Sequence, residues 1–167
     1  MMSTGDKNLI IHVPSNPQQY YYIKNCHDRG YVMALNGNID CANQQVAGTL
    51  VVTKEKLLDK TIAQSQLWYL EDAGDGYCYI VSKQNRFVLD IQGAQWYIGT
   101  ATIICPKNSP PTVITNQKWK IYEKEGVIVS QLNGQAVTVQ QPQTVGSKIM
   151  MAKRKGQMED MVRHSSG

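Results

Sequence analysis

The chain has 167 residues, with 17 basic and 13 acidic side chains, a net charge of +4 and 42% hydrophobic content. That length suits one ordinary domain, the composition excludes a disordered or collagen-like chain, and no apolar run reaches the ~18 residues of a membrane-spanning helix. The mild basic excess speeds encounters with polyanions but falls short of the charge of a dedicated nucleic-acid binder.

Met1 to Asn16 mixes Asp6, Lys7 and Asn8 with a short apolar patch, Leu9 to Val13. The patch is too brief for a signal-peptide core. This segment is read as a tail whose apolar patch offers an edge strand or an oligomer contact, on a protein expected in the cytosol. Cys26, Cys41, Cys78 and Cys105 show no CxxC spacing, so reduced, mostly buried thiols are expected; a two-disulfide scaffold is the alternative.

Beyond the tail the chain repeats itself. A first copy runs from Tyr22-Ile23-Lys24-Asn25 through Val32-Met33-Ala34-Leu35 and the stretch Gly48 to Lys56, ending in Ser65-Gln66-Leu67-Trp68. A second runs from Tyr79-Ile80-Val81-Ser82 through Val88-Leu89-Asp90-Ile91 and Gly99 to Lys107, ending in Asn116-Gln117-Lys118-Trp119. Gly48 to Gly99 and Trp68 to Trp119 are both separated by 51 positions. A degenerate third copy follows, Ile128-Val129-Ser130, Ala136 to Val139 and Gly146 to Met151, with Met161 where a third tryptophan would stand.

Within each copy, β-branched and aromatic runs of four to six residues are separated by turn residues: Asp28-Arg29-Gly30, Asn36-Gly37-Asn38, Asn85-Arg86 and Asn133-Gly134. These predict short strands and tight turns, with a helical turn only between Glu55 and Gln64. A propeller needs more blades, and a solenoid needs polar caps. The expectation is an all-β fold, a β-trefoil: a single domain over 17–164, repeats at about 17–72, 73–124 and 125–164, and a short tail at 165–167.

The Leu-Asp-Ile strand, the Gly-Thr strand and the doubled Gln-x-Trp element, Gln66-Leu67-Trp68 and Gln117-Lys118-Trp119, together resemble the ricin B-chain-like, or R-type, lectin family over roughly residues 18 to 163. The two tryptophans read first as core, each burying on the order of 150–250 Å², and their glutamines as props for turn backbone. The resemblance implies one shallow sugar site per repeat, built from a carboxylate, an amide pair and an aromatic ring. The middle repeat alone keeps the polar set, as Asp90, Asn116 and Gln117; the first has Ala34 and Ser65 at the Asp90 and Asn116 positions, and the third has Thr138 and Glu159-Asp160. The family's stacking ring falls near Ile104-Cys105 and is missing here. The loop Gln92-Gly93-Ala94-Gln95-Trp96-Tyr97 offers two rings instead.

The implied function is a non-enzymatic lectin for galactose or N-acetylgalactosamine-type glycans, without cofactor or metal, for which a homodimer is expected, with carbohydrate contacts at Asp90, Gln92, Gly93, Trp96, Tyr97, Asn116 and Gln117. Asp90 also reads as a turn cap, and Trp96 as a cover for the barrel mouth or a partner surface. His12, His27 and His164 suit no catalytic set, no metal-binding motif is present, and Gly74-Asp75-Gly76 reads as a solvated turn. The cluster Lys148, Lys153, Arg154 and Lys155, with Met150 and Met151 between, reads as a solvated hairpin face or a contact for an acidic partner or sialylated glycan. Two rivals remain: a protease inhibitor presenting the Pro106 to Pro111 loop, and a structural, actin-associated trefoil.

Overall fold

A computed structural model describes residues 19–24, 30–37 and 47–154. Ten strands run through them: β1 (Tyr31–Leu35), β2 (Thr49–Glu55), β3 (Trp68–Gly74), β4 (Tyr77–Ser82), β5 (Val88–Ile91), β6 (Thr102–Cys105), β7 (Trp119–Tyr122), β8 (Val127–Ser130), β9 (Ala136–Val139) and β10 (Ile149–Ala152). Single 3-10 turns occupy Gln64–Gln66, Gln92–Ala94 and Thr115–Gln117. The helical turn expected between Glu55 and Gln64 therefore lies at its far end. Asp59 intervenes, because its Oδ1 accepts from the Thr61 amide at 2.9 Å and hydroxyl at 2.6 Å, which holds a tight polar turn.

The strands divide into the two parts of a β-trefoil. In the barrel wall, Tyr21 bridges to Trp68 on β3, β3 pairs with β4, β4 with β7, and β7 with β8, all antiparallel. Three hairpins, β1/β2, β5/β6 and β9/β10, form the cap. They meet one another in a ring: β2 pairs with β6, Ala101 bridges to Met150, and Lys148 bridges to Val52.

One glycine per repeat fastens that ring. The Gly48 amide donates to Ile104 O at 2.8 Å, the Gly99 amide to Met151 O at 2.7 Å and the Gly146 amide to Thr53 O at 2.7 Å. Each repeat thus donates to the next, and the third donates back to the first. These glycines hold φ of 90°, 92° and 80°, where a side chain is strained, although a Cβ at any of them would meet nothing within 4 Å. Gly99→Ala is therefore expected to cost about 1–2 kcal/mol through backbone strain alone. In urea titration the midpoint falls while the slope is unchanged.

The core holds Trp68 and Trp119, both fully buried, with Leu35, Ile80, Leu89, Ile104, Ile128 and Met151 around them. The indole N–H of Trp68 donates to Met33 O and that of Trp119 to Leu89 O, both at 3.0 Å. Met33 and Leu89 precede Ala34 and Asp90, so the structure aligns those two positions as the repeats do. Met161, the segment Leu9 to Val13, the three histidines, Cys26, Cys41, Lys155 and Glu159-Asp160 lie outside the described residues.

The middle of the basic cluster, Met150 and Met151, lies on a strand of the cap, as the third copy predicts, and its end at Lys155 lies outside the described residues. Ile149–Ala152 is strand β10, paired with β9, and Met151 is buried, because alternate side chains of this run are needed to fill the cap. Arg154 donates to Glu125 at 2.6 Å and stacks over Tyr122. Gly74, Asp75 and Gly76 do form a turn, between β3 and β4.

Candidate functional site

The two Gln-x-Trp glutamines do the same structural work. Gln66 Oε1 accepts from the Leu57 amide at 2.9 Å and its Nε2 donates to Glu55 O at 2.7 Å. Gln117 Oε1 accepts from the Asn108 amide at 2.8 Å and its Nε2 donates to Pro106 O at 3.0 Å. Each clamps the chain leaving its Gly-Thr strand. The middle repeat then departs from the first, because Gln117 Nε2 also donates to Asp90 Oδ2 at 2.9 Å, and Asn116 Nδ2 donates to Asp90 Oδ1 at 2.6 Å. The three polar residues that the resemblance groups together are directly bonded.

All of strand β5, Asp90 included, is buried. Asp90 is 4% exposed and Asn116 5%. Burial pushes the Asp90 carboxyl up from its ordinary 3.8, against the opposing pull of Gln117, Asn116, the Cys105 thiol and the Ile91 amide, all of which favour the charged form. Such a carboxylate is a strong acceptor held in a fixed place. The amide beside it has capacity unspent: Asn116 Oδ1 is buried with no hydrogen-bond partner among the described residues. Buried acceptors are nearly always satisfied, so an orphan calls for an explanation.

Cys105 occupies the position where the R-type pattern places a ring. Burial raises the pKa of its thiol, and the negative charge of the Asp90 carboxylate adds to the rise. The repeats marked this position but gave no sign of the thiol's contact. Cys78 is also a free thiol, pushed up to about 12 by burial.

Gln92, Gly93, Trp96 and Tyr97 lie on the loop between β5 and β6, two to seven positions beyond Asp90, and all four are exposed. A left-handed Gly93 (φ 64°) starts the loop's turn. Trp96 and Tyr97 are 62% and 72% exposed, so neither belongs to the core. The loop leans on the turn between β8 and β9: Gln135 Nε2 donates to Trp96 O at 2.8 Å and Asn133 Nδ2 to Gln95 O at 3.4 Å.

The proline loop is fastened to its surroundings. Lys107 pairs with Glu71 and lies over the Tyr79 ring, and Asn108 Nδ2 donates to Val113 O at 2.9 Å across the loop. Among the described residues no cluster of three or more His, Cys, Asp or Glu could hold a metal ion, and no helix is long and apolar enough to cross a membrane.

Residues 10–105 match the family model described as a ricin-type beta-trefoil lectin domain-like domain. No curated protein matches the chain. Among solved structures, a designed three-fold symmetric protein, ThreeFoil, is 23% identical with a TM-score of 0.67, covering 82% of this chain and 91% of its own. The C-half of an earthworm R-type lectin, solved in complex with GalNAc, is 22% identical with a TM-score of 0.59, covering 82% of this chain and 90% of its own. An exo-beta-1,3-galactanase from Clostridium thermocellum is 26% identical with a TM-score of 0.60; the match covers 76% of this chain but only 26% of the enzyme.

Proposed function

Because the family match spans more than half of its length, this chain belongs to the ricin-type β-trefoil lectin domain-like family, and from that premise we propose that it is a non-enzymatic carbohydrate-binding protein. Its site is that of the middle repeat, and its ligand a terminal galactose or N-acetylgalactosamine. The observation that carries this reading is the bonded set Asp90, Asn116 and Gln117 with its unspent acceptor, Asn116 Oδ1. A fixed carboxylate and an amide acceptor can take protons from two neighbouring sugar hydroxyls, and charge assistance makes such bonds about twice as strong as neutral ones. The earthworm structure holds GalNAc on the same fold.

A shallow site of a few hydroxyl contacts is weak, since each returns only ~0.5–1.5 kcal/mol net. Multivalent display, as in a homodimer acting in the cytosol, supplies the avidity. A panel of immobilised glycans probed with the wild-type protein beside Asp90→Asn tests the proposal; galactose-type binding lost in the variant supports it, and equal binding by both sinks it. One observation favours a second, purely structural reading, namely the near-complete burial of Asp90 and Asn116. Under it the variant loses stability and no glycan is bound by either protein.

Acid separates the two properties. The Asp90 pKa is raised above 3.8, so between 3.8 and the raised value the folded protein holds a proton that the unfolded chain has released. The contribution of this group to stability therefore falls as pH rises through that window. Sugar binding needs the ionised acceptor and rises over the same window. Calorimetric titration with galactose from pH 7 downward should show affinity lost as this one group protonates, while the melting temperature, compared with that of Asp90→Asn at each pH, shifts in the opposite sense.

A further inference from the structure

Charge is distributed unevenly along this chain. Residues 91–106 and 126–147 contain no Asp, Glu, Lys, Arg or His, so every charged side chain lies elsewhere. The fold brings these two uncharged stretches together. Gln135 and Asn133 fasten the backbone of Trp96 and Gln95, Gly99 donates to Met151 O, and Thr102 Oγ1 donates to Ile149 O at 2.7 Å, which draws the β5–β6 hairpin onto the third repeat.

At that junction Trp96, Tyr97 and Ile98 stand 62%, 72% and 51% exposed, one after another. Large adjoining apolar side chains on a surface mark a binding face. The loop that carries them is held firmly, since Thr100 Oγ1 donates to Tyr97 O at 2.7 Å in addition to the bonds from Gln135 and Asn133. Its polar neighbours, Gln92, Gln95, Asn133 and Gln135, are amides without charge, and Gln135 Oε1 is buried with no partner among the described residues.

We infer that this face, at the junction of the second and third repeats, is a subsite for the inner sugars of a neutral oligosaccharide whose terminal residue occupies the Asp90 site. Rings take the apolar faces of pyranoses, and amides supply donor and acceptor together to hydroxyls. The two stretches that build the face offer no cation to sialylated or sulfated chains, so it selects against them. This inference rests on the carbohydrate reading of Asp90 and extends it from a single sugar to a chain of them.

Isothermal titration with methyl β-galactopyranoside, a neutral galactose-terminated tetrasaccharide and the sialylated form of that tetrasaccharide tests it, using wild type, Trp96→Ala, Gln135→Ala and Asp90→Asn. The expected result is that the neutral tetrasaccharide binds wild type about tenfold more tightly than the monosaccharide, a gain of the size one exposed aromatic anchor supplies. Gln135→Ala removes that gain and leaves monosaccharide affinity unchanged, Trp96→Ala removes the gain as well, and a change of salt from about 0.05 to 0.5 M alters neither affinity. Equal affinity for the two neutral ligands, with Asp90→Asn still abolishing binding, overturns the inference while the Asp90 reading stands. Tetrasaccharide binding that depends on Trp96 and ignores Asp90→Asn removes the Asp90 reading and overturns with it the inference that the terminal sugar sits there. Preference for the sialylated chain, or a wild-type dimer in light scattering that Trp96→Ala dissociates, overturns it, the latter because a second copy then fills the face.

Discussion

Trp119→Ala is expected to destabilise the protein by about 3–5 kcal/mol, a large part of the ~5–15 kcal/mol that holds a domain of this size folded. Three losses add together in this one truncation. The indole is fully buried among core side chains from several strands, so its removal leaves a cavity that rigid barrel walls cannot close. Its N–H no longer caps Leu89 O, which leaves a strand carbonyl beside Asp90 without that donor. Cys78, which pairs with Trp119 across β4 and β7, loses its cover as well. Chemical denaturation monitored by far-ultraviolet circular dichroism measures the loss. A change under about 1 kcal/mol would remove Trp119 from the centre of the core. Trp119→Phe, which keeps most of the volume and forfeits the bond to Leu89, should fall between the two.

Asp90→Asn has the largest expected effect on binding. The variant keeps the shape of the side chain and removes its charge, so the sugar loses its charge-assisted acceptor, worth roughly 1.5–3 kcal/mol for each bond. For a ligand held by two such bonds this reduces affinity by more than about a hundredfold, below detection for a weak site. The same change has a structural cost. Both carboxylate oxygens now accept from amide N–H groups, Asn116 at 2.6 Å and Gln117 at 2.9 Å. An amide at position 90 offers one oxygen and one NH2, so one of those donors faces another donor. Stability should fall by about 1–3 kcal/mol, partly offset by relief of the buried charge. A fall in melting temperature with binding intact would leave Asp90 a purely structural residue.

This cost corrects one simple expectation of the sequence, that Asp90 serves either a ligand or a turn. It lies inside strand β5 and ties that strand to the Thr115–Gln117 turn, so the bonds that serve structure are the ones on which the proposed sugar acceptor depends. The grouping of Asp90, Asn116 and Gln117 was legible through the resemblance to the R-type pattern, and the tryptophan bonds to Met33 and Leu89 reach equivalent strand positions, 35 residues back in the first repeat and 30 in the second. Contacts specific to one repeat were not legible. Nothing near Gln135 announces that its side chain will hold Trp96, because the two are 39 positions apart and no second repeat offers the pair for comparison. The strand within the run from Lys148 to Arg154 was legible from the third copy, whereas the contacts of its charges, such as Arg154 with Glu125, were not.

The ring of glycine amides bears on how such a protein can come apart and how it can have been assembled. Gly48 reaches into the second repeat, Gly99 into the third and Gly146 into the first. A repeat cut out of the chain therefore carries a donor with no acceptor and an acceptor with no donor, and the smallest closed set is three. A lone ancestral copy meets that condition only as a homotrimer, which duplication and fusion then turn into one polypeptide. Once fused, the copies are free to diverge in their polar side chains, as Ala34 and Thr138 have beside Asp90, so long as the glycines that close the circle stay in place.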